Sequence, residues 1–233
     1  MTLLIISLAP VFLLLAYIYF RDRYEKEPIG LLIRGFIAGA VILFPVAWIE
    51  GQLVGIAPDL NPIGTAVYQG FVVAGATEEL FKFIALYLLF WRNRNFNERF
   101  DGIVYAVSVS LGFAAIENIL YVYEGSYKVG LMRAVTAVPA HMLFGIMMGY
   151  YLGLARFIPS RKSFYILLAV LAPWAFHGTY DFLILSGRPL LLLGFIPFLI
   201  IMWRVGLKRL RQHELTSLFR KTPPPPPGPE TNE

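Results

Sequence analysis

Hydrophobic residues run along this chain in blocks too long and too uniform for the elements of a water-soluble domain. Mostly apolar windows of roughly 18 or more residues, enough to cross a hydrocarbon core at helical rise, occupy 3–20, 30–50, 66–90, 102–122, 130–154, 164–186 and 189–206. The pattern predicts an all-α, polytopic membrane helix bundle of about seven transmembrane helices. The first window has no basic n-region and no A-x-A-like exit before it meets RDRYEKEP, so it reads as a retained helix rather than a cleaved signal. Composition agrees with lipid as the solvent: 58% of the 233 residues are hydrophobic, 15% are charged, and mean hydropathy is +0.64.

The polar breaks set an orientation, because basic residues stay on the cytoplasmic side. Arg21, Arg23 and Lys26 fall in the first break, Arg92, Arg94 and Arg99 in the third, and Arg156, Arg161 and Lys162 in the fifth. Lys208, Arg209, Arg211, Arg220 and Lys221 follow the last window, whereas the alternate breaks hold only Lys128 and Arg188. The expected topology has the N-terminus outside and the C-terminus cytoplasmic. Residues 1–206 then form one integral membrane domain, and 207–233 form a basic and then Pro-rich tail, KTPPPPPGPETNE, that cannot be helical. The net charge of +5 is a topology signal and an attraction to anionic membrane lipids; no nucleic-acid module is visible.

Against this apolar background the ionisable residues inside the windows stand out, since each costs roughly 2.5–3.5 kcal/mol to insert. The third window carries Glu78, Glu79 and Lys82; the fourth Glu117 beside Asn118; the fifth His141; the sixth His177 and Asp181. With a rise of about 1.5 Å per residue, Glu78 lies about 18 Å from the outer end of its span, Glu117 about 9, His141 about 17 and His177 about 14. All four share a layer between the outer leaflet and the midplane. His141 heads a row with Gly145, Gly149 and Gly153, a small-residue stripe that lets a neighbouring helix approach and turns the histidine inward. Asp181, four residues after His177, can accept a hydrogen bond from one imidazole nitrogen.

Lys82 follows Glu79 by three residues and Glu78 by four, so it is expected to neutralise one carboxylate and leave the other to act as a proton acceptor toward water. The catalytic candidates are therefore Glu78, Glu79, Glu117, His141, His177 and Asp181, with Lys82 and Asn118 in support. Glu117, His141 and His177 could also supply three ligands to a single Zn2+, leaving a water position with Glu78 as base; a metal-free glutamate mechanism, slightly favoured, needs no cofactor. Arg34, Glu50, Arg133 and Arg204 lie nearer span ends and are expected to snorkel, and His213 is expected to be solvated. Absent cysteine removes thiolate chemistry, and no HExxH or GxSG-like turn occurs. A proton- or ion-coupled transporter using the same groups is the alternative, weakened by the lack of repeat symmetry.

Several of these stretches resemble motifs of the PrsW-type intramembrane protease family, which shares a superfamily with the CAAX-prenyl endopeptidases and bacteriocin-processing enzymes. EELFK (78–82) resembles its EExxK motif, FAAIEN (113–118) its FxxxEN motif, HMLFG (141–145) its third-motif histidine and HGTYD (177–181) its HxxxD motif. DRYEKEP (22–28) resembles its cytoplasmic signature. The resemblance, over residues 17 to 181, implies a multi-pass peptidase of a bacterial cell membrane. Its partners would be a single-span or otherwise membrane-anchored protein substrate, of the anti-sigma-factor kind. It implies Glu78 as base, Glu79 as its partner held by Lys82, and His177 with Asp181 as the pair that supports the transition state. Glu117 departs from the CAAX-type relatives, which have histidine there, so their arrangement around water does not transfer.

Overall fold

The structure is a computed structural model that describes residues 2–220, and among these there is no strand. The chain runs through α1 (Thr2–Arg21), α2 (Ile29–Gly55), α3 (Pro62–Val67), a π-helical stretch (Tyr68–Ala76), α4 (Thr77–Phe90), α5 (Arg99–Glu124), α6 (Tyr127–Val135), α7 (Ala137–Phe157), α8 (Lys162–Leu185) and α9 (Pro189–Leu215). Six helical segments are long and apolar enough to cross a membrane, with α6 and α7 counting as one. The seventh expected span is the unbroken helical path Pro62–Phe90, in which the π-helix interrupts α-geometry just before the acidic pair. The Pro-rich end of the tail lies outside the described residues.

Packing sorts the helices by depth. Of the 18-residue apolar window of α5, 78% is buried, against 17% for α1 and 11% for α9. The central helix is thus wrapped by the others, while outer helices turn Leu13, Trp48 and Leu190 outward, as lipid-facing residues should. The core joins α5 to α7 through Ile103, Val107, Leu111, Met142 and Ile146, all at most 2% exposed.

The glycine row of α7 explains how α5 and α7 come so close. A Cβ on Gly149 would lie 2.2 Å from the carbonyl oxygen of Gly102, so only glycine permits this crossing. Gly145 and Gly153 face Val107 and Arg99 in the same way, and His141, one turn earlier, therefore points toward α5.

A second close approach sets the path of α8. Gly178 packs on the π-helix, where a Cβ added to Gly70 would meet the Gly178 carbonyl oxygen at 2.8 Å. A π-helix leaves a carbonyl out of the usual ladder. Here the indole Nε1–H of Trp174 donates to the Phe71 carbonyl at 2.8 Å. This docking carries His177 onto the first turn of α4.

His213 departs from expectation. It is 2% exposed because α9 continues as a helix to Leu215, and its Nδ1 lies 2.9 Å from the Arg99 carbonyl oxygen. The apolar window ends at 206, so hydropathy alone gave no reason to extend the helix.

Candidate active site

Glu78 and Glu79 lie in the first turn of α4, directly after the π-helical stretch. Both are buried, and Lys82 is buried with them. Its Nζ donates to Glu78 Oε2 at 2.8 Å and to Glu79 Oε1 at 2.8 Å, and lies 3.2 Å from His141 Nδ1. The expectation that lysine would serve one glutamate fails: three donor hydrogens on one ammonium let it serve both and a ring nitrogen as well.

What distinguishes the two glutamates is where their second oxygens face. Glu79 accepts from Lys82 and lies 2.8 Å from His177 Nδ1 through the same Oε1, and its Oε2 is buried without a partner. Glu78 instead borders a cavity of about 300 Å³, with its Oε1 3.9 Å from His177 Nε2. His177 Nε2 is also 3.3 Å from Asp181 Oδ2, so the imidazole is held at both nitrogens by carboxylates and stacks on Phe144 at 4.8 Å.

On the other wall, His141 Nε2 lies 2.8 Å from Glu117 Oε2. Arg133 Nη2 pairs with the same oxygen at 3.0 Å. Asn118 holds that arginine, accepting from Arg133 Nε at 2.9 Å while donating to the Ser7 carbonyl at 2.9 Å. Glu78, Glu117, His141, His177 and Asp181 all line the cavity, whereas Glu79, Lys82 and Asn118 stand behind it. The structure thus brings the sequence-selected side chains of α4, α5, α7 and α8 to one place.

Two residues expected to snorkel, Glu50 and Arg133, line the cavity instead. Glu50 lines the cavity and accepts from Thr77 Oγ1 at 3.1 Å. The apolar window ends at residue 50, but α2 runs five residues further to Gly55. Arg133 closes the opposite side. The need of Glu117 for a cation was the available signal, and α6 ends at Val135, so the arginine sits on a short helix leaning over α5 rather than inside a long span.

The donor set also bears on a metal. Among the described residues, Glu117, His141 and His177 do not form a group whose ligand atoms converge within 4.8 Å; Glu78, Glu79 and His141 do. The centre of that group is where Lys82 Nζ already bonds to all three. A metal ion and an ammonium cannot share that point, so the side chains as arranged do not fit a metal there.

Buried acids and imidazoles lining one cavity inside a bundle of membrane-spanning helices mark a functional site rather than a packing core. A family model described as PrsW family intramembrane metalloprotease matches residues 27–205. The chain belongs to the PrsW family of intramembrane proteases. It is 39% identical over 212 residues to Protease PrsW of Oceanobacillus iheyensis, covering 91% of this chain and 96% of that one. It is 35% identical over 215 residues to Protease PrsW of Bacillus subtilis (92% and 96% covered), and 33% over 217 to that of Clostridioides difficile (91% of each). No solved structure matches the chain. The protein is therefore a multi-pass membrane protease with bacterial relatives, and the transporter alternative finds no counterpart among these relatives.

Proposed function

We propose that this chain is an endopeptidase that cuts membrane-anchored protein substrates with a water activated by Glu78. The observation that carries this reading is the asymmetry of the acidic pair: Glu79 is sealed between Lys82 and His177, while Glu78 alone presents an oxygen to the cavity. A water bound there gives its proton to Glu78, and its oxygen attacks the carbonyl carbon of the scissile bond. The oxyanion that forms is stabilised by His177, which Glu79 and Asp181 hold in place. Collapse breaks the C–N bond, and the proton held by Glu78 passes to the leaving amine. No step is routed through a metal.

Lys82 has an electrostatic role here. It keeps two adjacent carboxylates from repelling each other and carries the same ordering to His141, which in turn fixes Glu117. The basic loops gather at the bundle end opposite the cavity, where Arg21 pairs with Glu214. By the positive-inside rule the cavity then opens toward the outer leaflet of the cell membrane, with the N-terminus outside and cleavage near that surface. Anti-sigma-factor-like membrane proteins are substrates of this shape.

The test is reconstitution into sealed vesicles with a single-span reporter. The reading requires two fragments with new termini on the outer-leaflet side of the span and no coupled proton flux. Flux without new termini would replace it with transport.

A further inference from the structure

A second set of acids lies at the bundle end away from the cavity, and proteolysis does not use it. The loop between α1 and α2 carries Asp22, Glu25 and Glu27; Glu98 precedes α5, and Asp101 sits in its first turn. Asp22, Glu27, Glu98 and Asp101 are at most 2% exposed. Carboxylate oxygens of Glu25, Glu27 and Asp101 all lie within 4.8 Å of one another.

Their partners do not neutralise them. Asp101 Oδ2 accepts the backbone N–H groups of Asn97 and Glu98 at 2.8 and 2.7 Å, and Asn97 Nδ2 donates to Glu25 Oε1 at 2.9 Å. Tyr105 donates to Glu27, and Ser217 to Glu98. The nearby cations are engaged elsewhere: Arg21 and Arg23 with Glu214, Lys26 with the Tyr19 carbonyl, Arg156 with the carbonyls of Trp91, Asn93 and Phe96. Among the described residues, none of the ion pairs includes any of these five carboxylates.

Two oxygens of this group are buried and have no hydrogen-bond partner, Asp101 Oδ1, on a residue with 0% exposure, and Glu25 Oε2; so is the amide Oδ1 of the neighbouring Asn97. The amide oxygen is not an acid, and it is left open like the others. Buried anionic oxygens without a counter-charge are costly, whereas a cation among Glu25, Glu27 and Asp101 would compensate them. A spread within 4.8 Å matches donors placed about 2.0–2.6 Å around one ion. An all-oxygen set, with neither imidazole nor thiolate, selects a hard cation over zinc.

We propose that Glu25, Glu27 and Asp101 bind a hard divalent cation of the Mg2+ or Ca2+ class, which pins the α1–α2 loop to the start of α5. Glu98 and Ser217 extend the junction to the end of α9, so the ion staples three helices on the face opposite the cavity. This site is independent of the proteolytic reading.

The test uses the full chain in detergent, stripped with chelator and then dialysed against Mg2+ or Ca2+, reading bound ion per chain and the thermal midpoint. A single ion should bind and raise the midpoint. Glu25→Gln keeps a carbonyl oxygen for Asn97 and lies at the partly exposed edge, so it should fold and yet lose at least about tenfold in ion affinity. Glu78→Gln, in the cavity, should bind the ion like the parent. An unchanged midpoint with no bound ion at about 10 mM of either metal, well above the range of weak Ca2+ modules, overturns the proposal. So does an ion lost in Glu78→Gln and retained in Glu25→Gln.

Discussion

Lys82 Nζ lies 3.2 Å from His141 Nδ1, linking α4 to α7 across the back of the cavity. An ammonium has only hydrogens to offer, so Nδ1 must accept and the ring proton must sit on Nε2, where it donates to Glu117 at 2.8 Å. Lys82 and Glu117, on two other helices, thereby fix the tautomer of the histidine between them.

That assignment is open to direct measurement. With only three histidines in the chain, ¹⁵N-labelled imidazoles can be assigned by single substitution of His177 and His213. The His141 ring should show a bonded hydrogen at Nε2 and a bare Nδ1. In Lys82→Met, Glu117 still holds the proton on Nε2, and the Nδ1 resonance should move toward that of an acceptor with no donor.

Removing the lysine should also cost stability. Lys82→Met leaves Glu78 and Glu79 adjacent at 6% and 0% exposure with only the His177 imidazole beside them, and breaking a buried pair by deleting one partner typically costs about 3–5 kcal/mol. Thermal unfolding in detergent should show a large drop, part of which Glu79→Gln restores when combined with it. Equal midpoints for parent and Lys82→Met would mean the carboxylates are neutral without it.

Two glycines on different helices should respond oppositely to alanine. Gly149→Ala places a Cβ 2.2 Å from the Gly102 carbonyl oxygen, and overpacking of this kind costs about 1–3 kcal/mol, more than the gain of up to about 1 kcal/mol from helix propensity. Gly194→Ala meets nothing within 4 Å and should be neutral or stabilising. Midpoints of the two variants against the parent decide it.

Much of the fold was legible because lipid makes hydropathy nearly sufficient. The ends of the blocks located α5 and α8 to within a few residues, and the i, i+4 spacing of His141 with Gly145 and Gly149 correctly turned that histidine inward. Three things were not legible. The π-helix of Tyr68–Ala76 depends on its contact with Gly178 and Trp174, a tertiary fact. Glu50 was lost because α2 outlasts its apolar window, and Arg133 because α6 is too short to span. For the site, spacing showed that Lys82 could reach either glutamate, but only side-chain geometry shows that it reaches both.

The cation-free loop cluster should respond to pH. Burial pushes Asp22 up from 3.8 to about 6 and Glu27 from 4.5 to about 7, with Glu98 also raised, while Glu25 and the neighbouring carboxylates add repulsion and Lys26 opposes it at Asp22. A raised acid holds more protons folded than unfolded, so stability is greatest below about 4.5 on this account and falls as pH rises through about 7. In chelator, the thermal midpoint should therefore be higher at pH 5 than at pH 8. A midpoint that climbs with pH over this interval would contradict the assignment.

Glu78 as the base is the role most open to direct test. The decisive measurement is the cleavage rate of a single-span reporter in proteoliposomes by the parent and by Glu78→Gln, matched for folded protein by thermal midpoint. Loss of a positioned general base predicts a fall of about 10²–10⁴-fold with the same cleavage site for any residual product. A Glu78→Gln variant that folds normally and cuts at the parent's rate would contradict it.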